Sequence, residues 1–218
     1  MELSGKKIAF LGDSITEGIG VDKKENIYWN RIAASTGAIS YGYGISGTRI
    51  AVQERISPDP SWDKHFASRV ETMIPDADIV VVFGGTNDFG HGEAPFGTMA
   101  DRTEDTFCGA MHMLLLKLMN RYPTSQLVVM TPLHRLVEDE YGLNEVGVRR
   151  CGVLRNYVDA IMEIAGFYGI PVLDLFRVSG MQPRVECNRV LYMPDGIHPN
   201  DAGHELIARK LENFLKSL

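Results

Sequence analysis

Cysteine is scarce and scattered: Cys108, Cys151 and Cys187 lie far apart, form no Cys-x-x-Cys pair, and leave one thiol over if two should bond. That argues against a disulfide-stapled scaffold, and the three read as reduced core or surface thiols. Basic residues are also in deficit, 22 Lys and Arg against 28 Asp and Glu, for a net charge of -6. A nucleic-acid surface needs clustered cations to neutralise phosphates, so nucleic acids and anionic membranes are both disfavoured as partners. No apolar run approaches the roughly 20 residues of a membrane span, and residues 1–7 are too polar and too few for a signal peptide. The expected location is therefore the cytoplasm, without membrane insertion. Neither His-Glu-x-x-His nor a Cys/His ligand set occurs, which argues against a metal. Gly-x-Ser-x-Gly, the nucleophile elbow of ordinary α/β-hydrolases, is missing too.

What is present fits one domain spanning residues 1–218, long enough to bury roughly 70% of its unfolded surface without staples. Short apolar runs at 8–11, 78–83, 127–130 and 171–175, with a weaker one at 39–43, predict strands. Between them lie helical stripes. Phe107, Met111, Leu114, Leu115, Leu118, Met119 and Tyr122 form one, stopped by Pro123. Cys151, Leu154, Val158, Ile161, Ala165 and Tyr168 form another, and Leu206, Ile207, Leu211, Phe214 and Leu215 a third, capped by Asn200 or Asp201. Strands alternating with helices that must cover both sheet faces predict an α/β fold, a three-layer αβα sandwich. Residues 89–106 and 134–149 read as long loops after carboxyl strand ends, the side where open α/β sheets bind ligands.

Three polar motifs carry chemistry. Gly12-Asp13-Ser14 follows the first strand, and Ser14-Ile15-Thr16-Glu17 also matches a capping box, in which the serine only closes a helix. A serine at a helix start also sits in a positive field beside free N–H groups. Asn87, at the exit of the most apolar run, is either an Asx-turn residue or a side-chain donor to a developing oxyanion. In Asp195-Gly196-Ile197-His198-Pro199 a tight turn can bring the carboxylate to one ring nitrogen, with Pro194 and Pro199 restricting the backbone. No comparable partner spacing surrounds His65, His91, His112, His134 or His204, and His112 and His204 read as solvated or satisfied locally. A nucleophile, an anion-stabilising amide and an acid/base pair are what ester hydrolysis needs. A competing motif is Gly42-Tyr43-Gly44-Ile45-Ser46-Gly47, which spells the dinucleotide signature and opens an alternative as an NAD(P)-binding oxidoreductase. Its preceding strand is poor, and Pro58 and Pro60 interrupt the helix it requires.

On these residues the chain resembles the SGNH hydrolase superfamily, the GDSL lipases or acylhydrolases. Gly12-Asp13-Ser14 is similar to its first block, Ile45-Ser46-Gly47 to its second, residues 84–88 to its third and Asp195-x-x-His198 to its fifth. Ile15 replaces the leucine of the family name, a swap between apolar residues. The resemblance implies a flavodoxin-like parallel sheet of about five strands in the order 2-1-3-4-5. It also implies Ser14 as nucleophile, His198 as base and an oxyanion hole of Ser14, Gly47 and Asn87. Asp195 then orients the imidazole, and Asp13 supports the serine. No cofactor is called for, and the expected partner is a small-molecule acyl ester. Short acyl groups, acetyl first, on a carbohydrate or other small polar alcohol are the expected substrate; lysophospholipids and thioesters are the alternative. Trp29, Tyr28, Phe89, Phe96, Tyr192 and Met193 are candidates to frame a pocket near the motifs, although aromatics and methionine at such positions are more often core. The remaining rival is a non-catalytic flavodoxin-like binding module.

Overall fold

The computed structural model describes residues 1–148 and 150–218, so Arg149, the last residue of the second long loop, lies outside the described residues. Five strands, β1 (Lys7–Gly12), β2 (Ile39–Gly44), β3 (Ile79–Phe83), β4 (Gln126–Met130) and β5 (Val172–Leu173), pair in the order β2-β1-β3-β4-β5. Every pairing is parallel. β3 is buried along its whole length, as its run of Ile, Val and Phe requires of a strand covered on both faces.

Because successive side chains alternate between faces, the central strands β1, β3 and β4 each feed two cores. Ala9, Leu11, Val80, Val82, Leu127 and Val129 enter one; Ile8, Phe10, Ile79, Val81, Val128 and Met130 enter the other. The helices are α1 (Ser14–Glu17), α2 (Tyr28–Thr36), α3 (Phe66–Arg69), α4 (Thr86–His91), α5 (Phe107–Arg121), α6 (Leu154–Phe167), α7 (Leu175–Val178), α8 (Glu186–Tyr192) and α9 (Asp201–Ser217). Residues of α3, α5 and α6 pack into the first core, and residues of α2 and α9 into the second, giving three layers.

Several expectations shift. The last strand is two residues rather than five, because Asp174 caps α7 by accepting the Arg177 amide (3.2 Å) and turns the chain into a helix. α6 begins at Leu154, leaving Cys151 outside it. Asn200 caps α9, accepting from the Ala202 and Gly203 amides (both 3.1 Å), while Asp201 binds Asn26 instead. His204 is not solvated: it is wholly buried, and its Nδ1 accepts the Tyr28 amide (3.1 Å), joining α9 to α2. The Gly42–Gly47 run ends in a bend beside edge strand β2, and no helix follows it before Pro60. The phosphate-binding helix start that a dinucleotide site needs is therefore absent there.

Candidate active site

The first motif leaves β1 and enters α1 at once. Asp13, not Ser14, is the cap: its Oδ1 accepts the Ile15 amide (3.1 Å). The expected capping box does not form, since Glu17 turns the other way and accepts the Ser46 amide (2.6 Å). Relieved of a capping role, the Ser14 hydroxyl reaches His198 Nε2 at 3.0 Å. His198 Nδ1 lies 2.7 Å from Asp195 Oδ2. The turn that places them is closed by Asp195 Oδ1, which accepts the amides of Ile197 (2.8 Å) and His198 (2.7 Å). Partial burial works against ionisation of Asp195, but those amides and the imidazole outweigh it and hold its carboxyl below the usual range. The distant segments around residues 14 and 198 thus meet in one hydrogen-bonded series.

Gly47 and Asn87 come to the same rim. β1 and β3 are neighbours, with Gly12 opposite Phe83, so the residues after each strand emerge side by side. Asn87 lies in the first turn of α4 rather than in an Asx turn, and its Nδ2 donates to Thr48 O (3.0 Å). One amide hydrogen is thereby committed to the loop that carries Gly47, and the second remains for a ligand. Gly47 has φ +72°, the left-handed region that favours glycine.

Every other part of that loop is pinned. Ile45 N–H donates to Gly12 O (3.3 Å), Ser46 N–H to Glu17, and Thr48 Oγ1 to Ile45 O (2.7 Å). The Ile50 and Ala51 amides donate to the Asp88 carboxylate (3.0–3.1 Å). Arg69, buried, donates to Gly12 O (3.0 Å), Tyr43 O (2.7 Å) and Thr48 Oγ1 (3.2 Å), clamping the ends of β1 and β2 to the loop. Burial pushes Asp13 and Asp88 up to about 6 against the pull of their amide donors, and lowers Arg69 to about 10. Sequence reasoning missed Arg69 and Asp88. Arg69 sits among buried neighbours of a one-turn helix and leaves no periodic trace, whereas Asp88, beside Asn87 after a buried strand, carried a positional signal.

Of the aromatic and methionine candidates for a pocket, Tyr28, Phe89 and Met193 take the commoner place in the cores, Trp29 donates its Nε1–H to Thr16 O (2.9 Å), and Phe96 stacks with Phe107 and meets Tyr157 edge-on. Among the described residues no group of three or more His, Cys, Asp or Glu side chains could hold a metal, and no helix is long and apolar enough to cross a membrane.

A parallel sheet of order 2-1-3-4-5 with serine, imidazole and carboxylate in series at its carboxyl rim defines an α/β protein of the ester-hydrolase class. The profile of the GDSL-like Lipase/Acylhydrolase family matches residues 10–206, and the chain belongs to that family. It is similar to the GDSL lipase Rv0518 of Mycobacterium tuberculosis, with 27% identity over 94% of this chain and 79% of that protein. A solved structure from Lactobacillus plantarum shares 35% identity and a TM-score of 0.81, with 98% of each chain covered. An acetyl xylan esterase shares the fold at 22% identity and a TM-score of 0.63, with 96% and 99% of the two chains covered.

Proposed function

We propose that Ser14 is the nucleophile of an esterase that removes short acyl groups from a carbohydrate or other small polar alcohol. The observation that carries the catalytic assignment is the Ser14–His198–Asp195 series, 3.0 Å and 2.7 Å between heavy atoms. Ser14 Oγ attacks the acyl carbon while its proton passes to His198 Nε2, and Asp195 stabilises the resulting imidazolium. The oxyanion takes hydrogen bonds from the Ser14 and Gly47 amides and the second Asn87 amide hydrogen. The alkoxide leaves with the proton from His198. Water, deprotonated by the same nitrogen, then attacks the acyl-enzyme and releases the acid and free Ser14.

The short-acyl, polar-alcohol reading is supported by the polar Glu17–Ser46 contact between the helix that carries Ser14 and the loop that carries Gly47, and by the fold shared with an acetyl xylan esterase. A longer acyl chain, as in lysophospholipids or thioesters, is favoured by another feature. Leu136 lies against Gly196, and Tyr141 and Leu143 stand exposed in the same loop. Hydrolysis of p-nitrophenyl acetate by wild type and Ser14→Ala tests the nucleophile. Release of acetate from acetylated oligosaccharides, run beside lysophosphatidylcholine, tests the substrate: acetate release alone supports the reading, and cleavage of the lipid alone overturns it.

A further inference from the structure

Trp62 belongs to none of the motifs, yet its ring covers the proposed oxyanion glycine. A Cβ built on Gly47 would lie 2.2 Å from Trp62 Cδ1 and 2.3 Å from Nε1, so the indole rests directly on the Gly47 backbone. Behind it is His91, its ring centroid 4.6 Å from the indole's and its plane tilted by 46°. His91 is buried at the end of α4, with Nδ1 3.1 Å from Arg49 Nη1.

The wall is fixed from below as well. Trp62 lies in a 3-10 turn, Pro60–Asp63, begun by Asp59, which accepts the Ser61 amide (2.9 Å). Asp63 accepts from Arg49 Nη2 (2.9 Å), Ser57 Oγ (2.6 Å) and Ser57 N (3.0 Å), and the Arg49 side chain is only 2% exposed. The indole is thus packed against a buried histidine and carried on a turn that Asp63 ties to the buried Arg49 guanidinium, so a retreat of the ring works against those polar contacts. It is itself half-buried, with part of its surface open.

The stereochemistry of the reaction says which substituent meets it. In the tetrahedral adduct the carbon is bonded to Ser14 Oγ, the oxyanion, the leaving oxygen and the acyl chain. The leaving oxygen faces His198, which protonates it, and the oxyanion faces Gly47 and Asn87. Trp62 borders Gly47, and with the oxyanion assigned to the Gly47 and Asn87 donors and the leaving oxygen to His198, the acyl chain is the one substituent left to meet the ring. We propose that Trp62 is a specificity-determining residue, the wall that ends the acyl pocket and confines the enzyme to short acyl chains. This rests on the esterase reading above and deepens it.

The test is kcat/KM for p-nitrophenyl acetate, butyrate and hexanoate with wild type, Trp62→Phe and Trp62→Ala. Because each variant is read as a ratio between esters, the fraction of folded protein cancels. A misplaced methylene in a shaped pocket is worth about tenfold or more. Trp62→Ala should accordingly raise the hexanoate-to-acetate ratio by about tenfold or more, and Trp62→Phe by less. A ratio unchanged in both variants, with all esters slowed alike, overturns the proposal and leaves Trp62 as a support for Gly47. Wild type cleaving hexanoate as well as acetate overturns it too. A wild type that cleaves no ester overturns the esterase reading, and this inference with it.

Discussion

Two loops cross the carboxyl rim of the sheet, and they differ in how far they are pinned, for the second holds buried Arg135 and Glu138 at its base but leaves its tip open. The loop at 45–51 is held by Asp88, Asn87, Arg69 and Glu17, and three of those four side chains are buried. The loop at 134–148 is tied at its ends, by Leu136 N to Gly196 O (2.8 Å), Glu145 N to Gly90 O (3.0 Å) and Asn144 Nδ2 to Gly92 O (2.7 Å). Its tip, by contrast, leaves Tyr141 78% and Leu143 65% exposed. An oxyanion donor must be aimed before the reaction begins, since its value lies in needing no reorganisation. Buried charge held by amides provides that rigidity at the first loop. The second carries no group in the proposed chemistry, and its exposed side chains are free to meet different alcohols or acyl chains.

The comparison predicts steeply graded effects. Ser14→Ala should lower kcat by about 10⁴-fold or more with p-nitrophenyl acetate, while the melting temperature stays near that of wild type. Asn87→Ala should lower kcat by roughly a hundred- to a thousand-fold, through loss of one oxyanion donor worth about 2.7–4 kcal/mol; an unchanged kcat would return the residue to a purely structural role. Asp88→Asn should cost about 2–3 kcal/mol in urea unfolding, because an amide nitrogen would then face the Ile50 and Ala51 donors. Tyr141→Ser and Leu143→Ser should change stability by no more than about 0.5 kcal/mol. Equal destabilisation by Asp88→Asn and Leu143→Ser would erase the contrast between the loops.

Acid stability sharpens the same contrast. Burial lowers His204 and His91 to about 4, with nearby arginines adding to the effect, so both are neutral in the fold. Between pH 6.5 and 4 the unfolded chain binds protons that the folded chain refuses, so acidification costs stability, up to about 3 kcal/mol for each histidine. Asp13 and Asp88, raised to about 6, act in the opposite sense. Their contribution is fully present below pH 3.8 and is lost as pH rises through 6, which partly offsets the histidines. His204→Asn, whose Oδ1 can take the place of Nδ1 for the Tyr28 amide, should show a smaller fall in melting temperature between pH 6.5 and 4.5 than wild type. An identical fall would show that His204 takes up its proton as readily in the folded as in the unfolded chain.

Much of the architecture was legible along the chain. β3 shows itself because five successive apolar, mostly β-branched residues suit only a strand buried on both faces. Ser14, Asn87 and the Asp195–His198 pair stood out as polar motifs, strand order and Gly47 came from the family resemblance, and none of them came from periodicity. What misled was local pattern with two outlets. Ser14-Ile-Thr-Glu17 satisfies the capping-box spelling, but Asp13 lies closer to the first free amides and Glu17 finds Ser46. Tyr28, Phe89 and Met193 did not mislead, since their side chains point into the cores, the commoner place for such residues. His204 read as solvated or satisfied locally because the Tyr28 amide that engages it comes from a segment 176 residues away.

Composition and the alternation of apolar runs with helical stripes determined the fold class on their own, because burial periodicity is a local property that each segment writes into its own residues. The choice of chemistry was legible too, since Asp13 and Ser14 after β1, Asn87 after β3, and the Asp195–His198 pair before the last helix stand out as short polar motifs without coordinates. Which aspartate caps and which orients an imidazole, how Arg69 and Asp88 hold the glycine loop, and that Trp62 stands over Gly47 were decided by tertiary structure alone. Those relations depend on distances between segments brought together only when β1, β3 and the long loop from 45 to 65 meet at one rim, and pairing across such separations leaves no periodic mark in the chain.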